Sequence, residues 1–364
     1  MAYPKIQKDL EDYLDNISSF KKIWKKKCSN YDVDMMPSIL PAVKRIIVIG
    51  DIHGDWNMSI KVLKLAKLID NNNSWIGGDT VVVQVGDMVD RCRYSGIPCN
   101  MKGATENDEG NDWKILQFFT KLHKEAKEVG GAVYSLIGNH ELMNVRGDFR
   151  YVSYEGLREF DNYIKADGTV IEDGMTARRW AFAPGNDISE FMACTRQMAL
   201  IIGKNLFAHA GVLPKIAKKY NVTRLNQILS LYLLDMVKSS DYTDIFDSSE
   251  SSPLWNRVYG NMGLDKYKME HDESSAFDNC NELMDPLKKL YKVGKIYVGH
   301  TPMMTNGISS VCNGKIWLTD VGMSQAFDKF DKSVTNSEDN ERSDARIAQV
   351  LEILDDGKEI NILK

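Results

Sequence analysis

The stretch VKRIIVIGDIHGD, residues 43–55, decides the architecture. A short run rich in Val and Ile stops at Gly50 and delivers Asp51 and His53. The same pattern recurs in TVVVQVGD (80–87), AVYSLIGN (132–139), KNLFAHA (204–210) and KIYVGH (295–300). Continuous β-branched runs of this length predict strands buried on both faces. Between some of them lie helical patterns, SIKVLKLAKLI (59–69) and WKILQFFTKLHKEAKEV (113–129). The second is stopped by Gly130 and Gly131, a good helix terminator. Strand–helix–strand alternation predicts an α/β fold.

Moving outward, apolar residues from Ile6 to Trp24 recur at spacings of three and four, predicting a helix over 5–24 with Pro4 where a helix can begin. Residues 1–40 read as an N-terminal helical extension and 41–364 as one main domain. The basic stretch KKIWKKK (21–27) reads as a solvated helix end. Two insertions interrupt the framework, a polar surface loop near 92–112 and a longer segment near 215–292 with a helical stretch at 222–237. Residues 328–344 are charged and poor in apolar side chains, which predicts a mobile loop. The end of the chain predicts two strands around Asp355–Asp356–Gly357.

Composition excludes several classes. The 364 residues hold 46 Lys plus Arg against 51 Asp plus Glu, so no global basic field for nucleic acid exists. No apolar run approaches the roughly 18 residues of a membrane span, and no secretory signal is visible in MAYPKIQKDLEDYLDN. Six cysteines, at 28, 92, 99, 194, 280 and 312, form no C-x-x-C pair and are too sparse for a disulfide scaffold. The expectation is a reducing, cytoplasmic compartment.

The chemistry lies at the strand ends. Ligands in open α/β sheets bind beyond the carboxyl ends of the strands. Asp51 with His53, Asp87, Asn139 with His140, His209 and His300 therefore converge, and four of the six histidines are spent there. His123 and His271 read as structural or solvated. Two Asp, three His and one Asn suit a pair of divalent metals, and the absence of Cys argues against a closed structural zinc site. Two dications against two carboxylates leave a positive site that attracts a phosphate dianion and lowers the pKa of bound water.

GDIHGD (50–55), GDMVDR (86–91), GNHE (138–141), HAG (209–211) and GHT (299–301) resemble, in order, the motifs of the phosphoprotein phosphatase family of calcineurin-like metallophosphoesterases. The pieces NVRGDFRYV (144–152), PLWNRVYG (253–260), GHTP (299–302) and DVGMS (320–324) are similar to its Shewanella-like protein phosphatase branch. The resemblance spans roughly 43–325 and implies a β-sandwich core of mixed sheets flanked by helices, with a dinuclear metal site at the strand C-terminal ends. It implies that Asp51 and His53 hold one metal, that Asp87 bridges, and that Asn139, His209 and His300 hold the second. Manganese is the first choice, with iron or zinc as alternatives. His140 paired with Asp90 is implied as general acid, because an alkoxide leaves poorly. Arg91 and Arg257 are implied as phosphate clamps.

Two positions depart from the family pattern: Cys92 stands where Gly usually follows Arg91, and Ala210 gives HAG for the commoner HGG. Arg146 and Arg150 read as structural, and no spacing rule pairs Cys92 with Cys99. The implied function is hydrolysis of phosphomonoesters, on phosphoprotein Ser/Thr or Tyr, by a metal-bridged hydroxide. The competing readings are a hydrolase of dinucleoside polyphosphates or other small phosphoesters, and an inactive interaction module. The expected partner is a phosphoprotein or small phosphoester substrate, with no nucleic acid.

Overall fold

The computed structural model describes residues 17–247, 250–265, 273–330 and 344–364. In chain order the strands are β1 (Ile39–Leu40), β2 (Arg45–Ile49), β3 (Val81–Gln84), β4 (Ala132–Leu136), β5 (Tyr163–Ile164), β6 (Val170–Ile171) and β7 (Arg196–Gln197). They continue with β8 (Ala199–Ile202), β9 (Asn205–Ala208), β10 (Lys295–Val298), β11 (Ser309–Val311), β12 (Ile316–Leu318), β13 (Val350–Leu354) and β14 (Glu359–Leu363). Two six-stranded mixed sheets result, ordered β14-β13-β2-β3-β4-β7 and β1-β8-β9-β10-β12-β11, while β5 and β6 form a small hairpin. Side chains of both sheets belong to one continuous buried cluster, giving the predicted sandwich.

The five quoted runs become β2, β3, β4, β9 and β10. Central β3 (VVVQ) and β4 (AVYSL) are buried at every position, the pattern of strands covered on both faces. The last two strands form the expected antiparallel pair, and β13 continues onto β2.

Helices fill the connections on the sandwich faces. The first described helix, α1 (Ile17–Cys28), holds part of the predicted 5–24 helix; residues 1–16 lie outside the described residues, as do 331–343 of the predicted mobile loop. Helix α2 (Trp56–Leu65) starts where the Asp55 carboxylate accepts the Met58 N–H at 2.8 Å, and it buries Met58, Val62 and Leu63. Helix α3 (Asp112–Glu128) buries Ile115, Leu116, Phe119, Leu122 and Ala126 on the face that packs against β4. Helix α4 (Asn139–Val145) follows β4 directly and is buried throughout.

Three findings correct the sequence reading. All six cysteines are paired, as Cys28–Cys194, Cys92–Cys99 and Cys280–Cys312, with Cα atoms 5.4, 5.7 and 5.5 Å apart. Partners 166 and 32 residues apart have no sequence signature, so only the fold brings them within bridging range. Residues 17–40 are also less separate than an extension implies. Cys28 is bridged to the helix Asp187–Thr195, and β1 pairs in parallel with β8. Finally, the 92–112 loop is polar but not simply solvated, since Cys92, Cys99 and Asp112 are buried.

Candidate metal centre

Strand register brings the predicted residues to one end of the sandwich. Ile49 of β2 pairs with Gln84 of β3, and Asp51 and Asp87 leave two and three residues beyond them. Phe207 of β9 pairs with Tyr297 of β10, and His209 and His300 leave two and three residues beyond. Asn139 and His140 open α4 just past β4. His53, Asp87, Asp90 and His300 all have left-handed backbone, with φ of 47, 52, 75 and 68°. Non-glycine residues are held there only when their surroundings over-determine them.

Two groups of ligand atoms result, each with its members within 4.8 Å of one another: His53, Asp87 and His140, and Asp87, His209 and His300. Asp87 belongs to both, the position of a bridging carboxylate. His209 Nε2 lies 3.3 Å from Asp87 Oδ1 and 2.9 Å from Asn139 Oδ1, while its Nδ1 faces the Val85 carbonyl at 2.9 Å. His53 Nε2 is 4.0 Å from Asp51 Oδ2 and 3.9 Å from Asp87 Oδ2, and its Nδ1 faces the Val89 carbonyl at 3.1 Å. A backbone carbonyl at Nδ1 fixes the tautomer and turns Nε2 into the ligand. Asp51 Oδ2 accepts the His300 N–H at 3.0 Å, whereas its Oδ1 is buried with no partner. A buried carboxylate oxygen left unpaired calls for a cation, so the donor set fits a pair of divalent metals.

Electrostatics divide the ligands into those already deprotonated and those that a metal would have to deprotonate. Burial pushes Asp87 up, but the imidazoles of His209, His140 and His53 outweigh it and hold the carboxyl well below the usual range. Burial, then Arg93 and His140, holds His53 well below the ordinary imidazole value. Burial, then His209 and Arg257, does the same for His300. His53 and His300 are thereby held neutral, the state that metal ligation needs. At His209 burial is outweighed by the Asp87 carboxylate, with Glu141 adding to it, which raises the ring above the ordinary imidazole value, so a metal there would displace a proton. Burial raises Asp51 well above the carboxylate range, with Asp320 and Asp87 adding to it.

The expected acid stands beside this cluster. His140 Nδ1 lies 2.6 Å from Asp90 Oδ2, and the ring's Nε2 lies 3.8 Å from Asp87 Oδ2. Asp90 also accepts the Asn144 amide at 2.8 Å; Asn144 in turn accepts Arg178 Nε at 2.8 Å, and Arg178 donates to Asp112 at 2.7 Å. Glu141 ties the two catalytic loops, its carboxylate accepting the N–H groups of Asp87, Met88 and Gly138 at 3.0, 2.7 and 2.7 Å. Gly138 permits this approach, since a Cβ there would fall 2.1 Å from Asp87 Oδ1.

The arginines divide differently from the expectation. Arg257 lines the pocket as predicted, donating to the His300 carbonyl at 2.9 Å. Arg91 does not. The chain turns at Asp90, and the Arg91 guanidinium runs to Gln325 Oε1 at 2.9 Å and the Glu106 and Asn107 carbonyls at 3.4 Å, away from the pocket lining. Arg93 stands in the pocket instead. Its Nη2 is 2.8 Å from His53 Nε2 and 3.2 Å from His140 Nε2, and its guanidinium lies over the Tyr151 and Phe327 rings. The Cys92–Cys99 bridge anchors the segment that presents it.

The pocket has a volume of about 800 Å³. Arg146 and Arg150, expected to be structural, are on its lining; Arg146 reaches Asp247 at 3.4 Å and Arg150 forks onto Asp148 at 2.8 and 2.9 Å. Sequence reading missed Arg93 and Arg178, and it gave no role to Asn144 and Asp320, although both open quoted pieces, NVRGDFRYV (144–152) and DVGMS (320–324).

A mixed-sheet sandwich with two metal-type donor groups sharing one aspartate, and an Asp-supported histidine at its strand ends, defines a metal-dependent phosphoesterase. The chain belongs to the calcineurin-like phosphoesterase family, whose model matches residues 44–304, and within it to the Shewanella-like protein phosphatase branch. It is 30% identical over 312 residues to Shewanella-like protein phosphatase 2 of Arabidopsis thaliana, covering 78% of this chain and 72% of that protein. An uncharacterized protein of Acanthamoeba polyphaga mimivirus is 36% identical over 260 residues, covering 66% of this chain and 95% of the viral one. A solved cold-active protein tyrosine phosphatase shares the fold with a TM-score of 0.62 at 19% identity, covering 92% of this chain and 83% of that one.

Proposed function

We propose that this chain is a metal-dependent protein phosphatase hydrolysing phosphoserine, phosphothreonine or phosphotyrosine esters. The observation that carries the reading is the His140–Asp90 pair, 2.6 Å apart, set against two donor groups that share Asp87. Protein phosphatases among the similar proteins support the substrate class. Asp51, His53, Asp87, Asn139, His209 and His300 would hold two divalent metals, manganese first among them. Such metals supply Lewis-acid polarisation of phosphoryl oxygens and a hydroxide near neutral pH.

The protein's own part follows from its geometry. With Asp90 at Nδ1, Nε2 of His140 faces the pocket beside Arg93 and, once substrate draws Arg93 onto the phosphoryl group, can hold the proton that the departing ester oxygen takes up. Arg93 and Arg257 bring guanidinium groups to the pocket from the 92–99 loop and from beside His300, where they can bind equatorial phosphoryl oxygens. Arg91 supports the Asp55–Gln325 corner instead.

Assay of the full chain with Mn²⁺ against phosphoserine and phosphotyrosine peptides, p-nitrophenyl phosphate and a dinucleoside polyphosphate tests this. Peptide turnover abolished by chelator is expected. Turnover of the dinucleotide alone would transfer the assignment to a small-molecule hydrolase, and peptide turnover unchanged by chelator would end the metal reading. Asp87→Asn should be the most damaging ligand change, because Asp87 belongs to both donor groups.

Among the described residues no helix is long and apolar enough to cross a membrane. Pairing of all six cysteines removes the ground on which a reducing, cytoplasmic compartment was expected, since disulfides persist mainly in oxidising compartments.

A further inference from the structure

The buried carboxylate of Asp320 has no place among the six expected ligands. It leaves β12 as His300 leaves β10: the two strands run parallel with Val298 opposite Leu318, and each residue stands two beyond that pair. The Thr319 N–H donates to the Val298 carbonyl at 2.8 Å, which carries the shared level past the strand ends. From the other sheet, the backbone at Gly50 closes on the same point. A Cβ on Gly50 would fall 2.2 Å from the Thr319 carbonyl oxygen and 3.3 Å from Asp320 Cα. Only glycine allows that approach, which sets Asp320 beside Asp51, the next residue along the chain.

The two carboxyl groups have complementary deficits. Asp320 is 1% exposed and lines the catalytic pocket. Its Oδ1 accepts the Gly322 N–H at 2.8 Å, while its Oδ2 is buried without a partner. Asp51 repeats this arrangement, with Oδ2 on the His300 N–H and Oδ1 unpaired. The two carboxyl groups face each other within hydrogen-bond reach, and two carboxylates so close in one buried pocket repel unless a shared proton or a cation between them satisfies both oxygens.

We propose that Asp320 is a seventh side chain of the metal centre, serving the first metal position together with Asp51, His53 and Asp87. Charge follows from this assignment. Two divalent ions against three carboxylates, those of Asp51, Asp87 and Asp320, leave a net charge of only one. The attraction for a phosphate dianion then depends more heavily on Arg93 and Arg257 than it would with two carboxylates.

The proposal rests on the two-metal reading, and the test separates them. Mn²⁺ binding to the full chain is measured by titration calorimetry and by the electron paramagnetic resonance of bound Mn²⁺, in wild type and Asp320→Asn. Wild type should take up two ions. The variant should lose about 10–100-fold in affinity at one position and less than about threefold at the other. Thermal melting gives a second readout. In chelator, Asp320→Asn should melt no lower than wild type, since an amide facing Asp51 keeps their contact while removing one of two crowded carboxyl groups; with Mn²⁺ its rise in Tm should be smaller. Two sites of wild-type affinity in the variant, or a lower Tm in chelator with an unchanged Mn²⁺ response, would reduce Asp320 to a structural residue. A wild-type chain that takes up no Mn²⁺ would overturn the metal reading as a whole.

Discussion

His140 Nδ1 lies 2.6 Å from Asp90 Oδ2, and Asp90 is wholly buried. The carboxylate has little freedom, since the Asn144 amide holds its other oxygen and Arg178 lies 3.8 Å away. A histidine so oriented presents Nε2 to the pocket and can be recharged with a proton after each turnover. His140→Asn should therefore cost about 10²–10⁴-fold on alkyl phosphates and much less on p-nitrophenyl phosphate, whose leaving group departs unaided. Metal content should stay at the wild-type level. Asp90→Asn should follow the same leaving-group pattern with a smaller loss, because the amide still orients the ring. Equal losses on both substrates would remove His140 from the acid role.

Arg93 and Arg91 should separate cleanly. Arg93→Ala removes a guanidinium from the pocket and should weaken inhibition by inorganic phosphate about 10–100-fold, the scale of one or two charge-assisted hydrogen bonds. Arg91→Ala removes a buried group that bonds Gln325 and two backbone carbonyls, so its loss should appear as a lower Tm with phosphate inhibition within about threefold of wild type. A reversed pattern would restore Arg91 as the clamp.

Thiol titration of the denatured, unreduced chain should find no free cysteine, since all six are paired. Reduction should lower Tm chiefly through Cys28–Cys194, which closes the longest loop, 166 residues. Cys28→Ser alone should then reproduce most of the loss. Two or more reactive thiols in protein purified without reductant would show that the bridges are not formed.

Much of this site was legible because parallel strands end in a fixed direction. Once VKRIIVIGD and TVVVQVGD are read as parallel neighbours, Asp51 and Asp87 must lie near one another, as must His209 and His300 at the ends of KNLFAHA and KIYVGH, whatever the loops do. Helix α3, read from periodicity as 113–129, spans Asp112–Glu128. Side-chain direction outside regular structure was not legible. The left-handed backbone at Asp90, φ 75°, sends Arg91 out of the pocket before Arg93 re-enters it, and no sequence periodicity reports such a turn. Arg178 joins the Asp90 network from 88 residues further along the chain, and beside Arg179 it reads as one of two adjacent helix cations with nothing to single it out. Asp320 was quoted within DVGMS (320–324), but β12 before it is only three residues long, and so short a run does not announce a strand end.

His123 gives a pH dependence independent of the metal centre. It lies in α3, is 4% exposed, and faces the Val133 carbonyl through Nδ1 at 2.9 Å with its ring edge-on to Tyr134. Burial holds its pKa down to about 4 from 6.5; the Val133 carbonyl pulls the other way, Lys127 and Arg196 reinforce burial, and Asp34 opposes it. The unfolded chain therefore takes up a proton as pH falls below about 6.5, while the folded protein resists until about 4. A depressed folded pKa contributes stability that is full above pH 6.5 and is lost on acidification through this window. The shift corresponds to at most about 3 kcal/mol. Urea denaturation in chelator, for wild type and His123→Leu, isolates the effect from other titrating groups. The stability of wild type relative to the variant should decline by up to that amount between pH 7 and pH 4. Wild type and variant that lose stability in parallel across the window would show that His123 is protonated as readily in the fold as outside it.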